Sequence, residues 1–137
     1  MKTKSGFRPF RIQGGDKKIK HYIEDLRAQI VQAVQPQQII LFGSYAYGQP
    51  HEDSDVDLLV VMPFEGSPYQ QAFKIRMGIN APFALDLLVR TPEYVAQQLE
   101  WGDCFMQEVI SQGKVIYEAT HTAMGQKSRR RLAQRAA

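Results

Sequence analysis

The stretch Ile39-Ile-Leu-Phe-Gly-Ser-Tyr-Ala-Tyr-Gly-Gln-Pro-His-Glu-Asp-Ser-Asp-Val-Asp-Leu-Leu-Val-Val-Met62 holds two apolar runs joined by a polar crossing. The first run, Ile39 to Phe42, stops at Gly43-Ser44, and the second, Leu58 to Met62, is opened by Asp55-Val56-Asp57. Runs of this length, rich in Ile, Leu and Val and bounded by turn residues, predict two buried strands. Side chains two apart on a strand share a face, so Asp55 and Asp57 are expected side by side with Cα atoms roughly 6.5 to 7 Å apart. Carboxylates that close repel unless a cation lies between them, and hard divalent ions take oxygen ligands. Asp86, inside the apolar run Phe83 to Val89, is the candidate third ligand. Three such groups make a platform for two ions about 3.5 to 4 Å apart, as used for in-line displacement at phosphorus. The other end of the crossing offers different chemistry. Gly43 permits a sharp turn and close approach to a phosphate, while Ser44 supplies a hydroxyl and a potential cap for a short helix.

Outward from this stretch the chain alternates helix and strand signals. Ile19, Ile23, Leu26, Ile30 and Val34 recur at helical spacing, predicting an amphipathic helix from about Asp16 that Pro36 closes. A short helical segment is expected around Tyr45 to Tyr47, ended by Gly48-Gln49-Pro50, with both tyrosines packing beneath the loop. Tyr69 to Gly78 predicts another helix, on which Lys74 and Arg76 read as a solvated face. In the strand Phe83 to Val89, Ala84 and Asp86 share one face and Leu85 and Leu87 the other. Thr91-Pro92 has the pattern of an N-cap followed by proline at the first helical position. That helix is expected to end near Gly102, a second to run from Asp103 to Gln112, and Lys114 to Glu118 to form a last strand. Trp101, Phe105, Val109 and Ile110 read as core and edge packing, and Asp53, His21, His51 and His121 as surface residues. The expected fold class is α/β (α+β), a small mixed β-sheet with packed helices, in one domain over residues 17–118 between a basic arm (1–16) and a basic tail (119–137).

Composition narrows the classes. Apolar content of 44% is ordinary for a globular domain. No run approaches the roughly 18 apolar residues of a membrane span, and the basic N-terminal residues precede no apolar stretch of signal-peptide type. With Cys104 the single cysteine, neither an intrachain disulfide nor a cysteine metal site is possible, and a cytoplasmic location is expected. No Gly-Lys-Ser/Thr follows the Gly-Ser pair, so a P-loop ATPase is excluded. The net charge of +3 conceals an asymmetry: residues 1–20 carry +6 and 124–137 carry +5, leaving −8 on the body between them. Terminal charge runs read first as solvated tails, with contact to RNA or an acidic partner as the functional alternatives.

Gly43-Ser44, ten residues, Asp55-x-Asp57 and a later strand aspartate, Asp86, together resemble the nucleotidyltransferase superfamily of DNA polymerase β. The similarity is greatest to its minimal nucleotidyltransferase (MNT) branch and spans about Gln38 to Glu118, including the ending Phe105 to Glu118. Tyr47 departs from the arginine often found there, so no cationic phosphate contact is implied from this loop. The resemblance implies a polymerase β-like fold and a Mg²⁺-dependent enzyme, with two ions on Asp55, Asp57 and Asp86 and with Gly43 and Ser44 gripping the β- and γ-phosphates of ATP. It also implies an antitoxin of a toxin–antitoxin pair that transfers AMP to a tyrosine of a HEPN-family toxin. Two other readings stand beside it: a non-catalytic antitoxin that neutralises its partner by contact, and a transferase acting on RNA or a small molecule. The sequence alone identifies neither the acceptor nor the base of the nucleotide.

Overall fold

A computed structural model describes residues 17–51 and 53–119. The expectations for residues 1–16, for His121 and for the tail from residue 120 lie outside the described residues. The elements are α1 (Lys17–Val34), β1 (Gln38–Phe42), α2 (Ser44–Tyr47), β2 (Val56–Val61), α3 (Pro68–Met77), β3 (Leu85–Arg90), α4 (Pro92–Glu100), α5 (Cys104–Gln112) and β4 (Lys114–Glu118). The strands form one mixed sheet in the order β3-β2-β1-β4. β1 pairs antiparallel with β2 and β4, and β2 pairs parallel with β3. A parallel pair needs a crossover connection, and α3 supplies it.

Strand alternation sorts the core into two layers. Ile39, Leu41, Val56, Leu58, Val60, Leu87 and Val89 pack beneath α1 and α3. Ile40, Phe42, Leu59 and Val61 face α4 and α5 through Val95, Met106 and Val109. Of the α1 stripe, Leu26 and Ile30 are wholly buried. Burial of such a side chain contributes ~1.5–3 kcal/mol, so packing rather than intrinsic propensity holds this helix. Ser67, Thr91 and Asp103 each cap the helix that follows, accepting from Tyr69 and Gln70, Tyr94, and Met106 N–H groups respectively.

These pairings fix the two ends of the sheet. β1 finishes where β2 and β3 begin, at Phe42, Asp57 and Asp86. α1 runs back over the sheet to the same end, where the Tyr22 ring meets Phe83 edge-on at 6.5 Å. α1 therefore begins at the carboxylate end. Ala119 leaves at the opposite end, its N–H bonded to the Gln37 carbonyl at 3.0 Å.

Several local expectations are corrected. Asp55 precedes β2 instead of lying in it, and β3 starts at Leu85, two residues later than the apolar run suggests. Trp101 is 69% exposed, whereas Met106 is buried. Trp101 stands at the end of α4, next to the positive-φ turn at Gly102 (φ +81).

Candidate functional site

The site is built by strand register. Parallel pairing sets Asp57 of β2 beside Asp86 of β3, and antiparallel pairing sets Phe42 of β1 on the other flank of Asp57. Neighbouring strands are about 4.8 Å apart, so the backbone holds two carboxylate-bearing residues next to each other. Their side chains share the sheet face of Leu59, Val61 and Leu88. Phe42 on that face meets the Phe105 ring edge-on at 5.6 Å and makes an apolar wall beside Asp57. Neither aromatic is marked by the sequence motif; the alternation of β1 predicts the inward face of Phe42 but not its partner.

Asp57 is half-buried, while Asp55 and Asp86 are exposed. Exposure of Asp86 follows from β3 being an edge strand, so the cost of burying a charge bears on Asp57 alone. Burial, then the Asp86 charge, then the Asp55 charge push the Asp57 carboxyl up to about 6. A carboxyl so placed is stabilised in its charged form by a cation between the acids. Among the described residues no three His, Cys, Asp or Glu side chains converge as a group that could hold a metal ion. Of the three expected ligands, register sets Asp57 beside Asp86, while Asp55 stands just before β2. This all-oxygen donor set suits a hard divalent ion such as Mg²⁺, which keeps several waters and phosphate ligands of its own.

Gly43 is dictated by Asp57. Its φ of +75 lies in the region that favours glycine, and a Cβ built on it would overlap the Asp57 carboxylate. The chain then enters α2, where the Ala46 and Tyr47 N–H groups donate to the Gly43 carbonyl at 3.0 Å. Ser44 is the first residue of α2, not its cap: Gly43 holds the N-cap position and no side chain caps the helix. Tyr45 packs into the layer beneath α1, with its hydroxyl buried and unbonded among the described residues. Tyr47 instead reaches the α5 layer and donates its hydroxyl to Glu108 Oε2 at 2.8 Å. Sequence reading misses Glu108, because nothing in a helix pattern pairs it with a residue 61 positions earlier.

Of the remaining candidates, Arg76 and His51 have structural employment. Arg76 donates to the Leu85 carbonyl at 2.7 Å, holding the start of β3 next to Asp86, while Lys74 is exposed. His51 accepts the Asp53 N–H on Nδ1 at 3.2 Å, and Ser54 Oγ accepts the His51 N–H at 2.9 Å. Together they shape the crossing before Asp55. An open groove of about 300 Å³, lined by Phe64, Tyr69, Arg90 and Tyr94 among others, lies at the far end of β2 and β3 and does not include the acids.

Residues 23–123 match the profile of the nucleotidyltransferase domain. The chain is 28% identical over 102 residues to a "putative protein adenylyltransferase" of Methanocaldococcus jannaschii, covering 74% of this chain and 97% of that protein. A crystal structure described as a "putative nucleotidyltransferase" from Sulfolobus solfataricus superposes with a TM-score of 0.50 at 19% identity, covering 76% of this chain and 89% of the other. A structure described as a toxin–antitoxin with AMP-PNP gives a TM-score of 0.48 at 22% identity and 82% coverage of both chains. Among the described residues, no helix is long and apolar enough to cross a membrane. The profile spans most of the sequence and contains the Gly43 turn and all three aspartates, and the chain belongs to the nucleotidyltransferase domain family.

Proposed function

We propose that this nucleotidyltransferase moves AMP from ATP to a hydroxyl on a partner protein, releasing pyrophosphate, and that the partner is a HEPN-family toxin modified on tyrosine. The observation that carries the chemistry is the register pairing of Asp57 with Asp86 beside a glycine that admits no side chain. A protein acceptor is supported by the name of the Methanocaldococcus relative. The toxin partner and its tyrosine rest on the resemblance of the motif and of residues 105–118 to the MNT branch.

In this reading Asp55, Asp57 and Asp86 hold Mg²⁺, which when bound neutralises triphosphate charge and favours ionisation of the acceptor hydroxyl. Gly43 and Ser44 receive the β- and γ-phosphates. Gly43 does so because its bare Cα allows close backbone approach. The acceptor oxygen attacks the α-phosphorus in line and the bond to the leaving pyrophosphate breaks. Asp86, exposed on the edge strand, takes the hydroxyl proton. Phe42 and Phe105 keep water from one side of Asp57.

The test is incubation with Mg²⁺ and ATP, with and without the partner, followed by intact mass measurement. Addition of AMP units to the partner, lost in the Asp55→Ala/Asp57→Ala variant, is the expected result. Tight partner binding without added mass from any of the four nucleotides would refute transfer and leave neutralisation by contact. Labelling of RNA or a small molecule in place of protein would refute the protein acceptor.

A further inference from the structure

The α2 turn is too small to hold itself in place. It is four residues long, has no side-chain cap, and is closed by three backbone bonds, from Ala46 and Tyr47 to Gly43 and from Gly48 to Ser44. Isolated helices of this length are unstable in water, so its position must come from tertiary contacts. Its two tyrosines diverge to opposite layers of the core. Tyr45 anchors by packing alone, since its hydroxyl has no partner among the described residues. Tyr47 anchors by a directed bond from its hydroxyl to Glu108 of α5 at 2.8 Å. The Gly43 backbone and Asp57 lie near enough to act on this phenol electrostatically.

We propose that the Tyr47–Glu108 hydrogen bond is the tether that sets the Gly43-Ser44 turn over the carboxylates, making both residues positioning residues for the nucleotide triphosphate. The proposal rests on the reading of that turn as the phosphate-binding element. Burial and the Glu108 carboxylate both raise the Tyr47 phenol above its ordinary pKa, outweighing the opposite pull of the Gly43 backbone. The hydroxyl therefore stays protonated and remains a donor. A bond to a carboxylate is directional and stronger than one between neutral groups. It fixes the ring where packing alone leaves it free to slide. Neither residue touches the reacting atoms in this arrangement. Their effect is on where the Gly43 and Ser44 backbone groups lie.

The test compares the full chain with Tyr47→Phe, Glu108→Ala, Glu108→Gln and the Tyr47→Phe/Glu108→Ala pair. Calorimetry with Mg²⁺ and a non-hydrolysable ATP analogue gives nucleotide affinity, Mn²⁺ titration gives metal affinity, and hydrogen exchange reports the Ala46, Tyr47 and Gly48 amides. Expected are an affinity loss of about tenfold for Tyr47→Phe and for Glu108→Ala, no further loss in the pair, and a smaller loss for Glu108→Gln, which keeps an acceptor oxygen. Mn²⁺ affinity stays at the wild-type value, while exchange at the three amides accelerates. Unchanged amide exchange in Tyr47→Phe overturns the tether whether or not nucleotide binds. Faster exchange with unchanged nucleotide affinity overturns the positioning role. Absence of nucleotide binding in the wild type, with faster exchange in the variants, overturns the phosphate-binding reading and leaves the tether structural. Additive losses in the pair show two independent effects and also overturn it.

Discussion

Asp57→Asn is expected to make the metal-free protein more stable while removing its capacity to bind Mg²⁺ and nucleotide. In the folded state the Asp57 carboxyl is raised from the ordinary 3.8 to about 6 by burial and by Asp86 and Asp55. The folded protein therefore holds this proton more tightly than the unfolded chain. Unfolding releases the proton between about pH 4 and pH 6, so this residue's contribution to wild-type stability falls as pH rises through that window. Below the window Asp57 is neutral in both states; above it the charged carboxylate carries the full penalty. The pKa change corresponds to ~3 kcal/mol at most, and partial exposure reduces the expected gain from Asn to ~1–2 kcal/mol at pH 7.5. Urea unfolding in EDTA at several pH values measures it, because carboxyls not coupled to Asp57 cancel in the difference between variant and wild type. The difference should be near zero at pH 4 and reach its plateau by pH 7.5. Added Mg²⁺ should stabilise the wild type and leave Asn unchanged. An Asn variant that is no more stable at pH 7.5, with a difference independent of pH, would refute the claim that the acids are held against their own repulsion.

Gly43→Ala should lose ~2–4 kcal/mol of stability, from strain at positive φ and overlap with Asp57, and should also lose nucleotide binding; thermal unfolding and calorimetry check both. Ile75→Ala and Phe73→Ala are two residues apart on α3 but differ in burial, at 1% and 62% exposed. The first should cost ~2–5 kcal/mol and the second under ~0.5 kcal/mol in denaturant unfolding. Thr91→Ala, which removes the oxygen accepting the Tyr94 N–H at 3.1 Å, should cost ~1 kcal/mol by the same measurement.

Much of the fold is legible because it rests on local rules. The α1 stripe, the Thr91-Pro92 start of α4 and the short β4 are each written within a few residues of themselves. Boundaries set by pairing were less legible. Asp55 looks like strand from its spacing to Asp57, but pairing begins only at Val56, opposite Leu85 of β3. Trp101 looks like core or edge packing from its hydrophobicity, yet at the end of α4, beside the Gly102 turn, it is 69% exposed. Of the candidate site, the residue types and their spacing are visible in the chain, whereas their separate environments are not. Only the sheet order makes β3 an edge, and so leaves Asp86 exposed while Asp57 is half-buried.

The sequence by itself determined the two periodicities, the turn at Gly43-Ser44 and the acids two apart, because each depends on the conformation of a few consecutive residues. Tertiary structure alone decided that Asp57 pairs with Asp86, that Gly43 must lack a side chain because a carboxylate 14 positions later occupies its space, and that Tyr47 finds Glu108. Those relations depend on strand register and on which layer each helix joins, and register is settled by burying whole faces of the sheet at once.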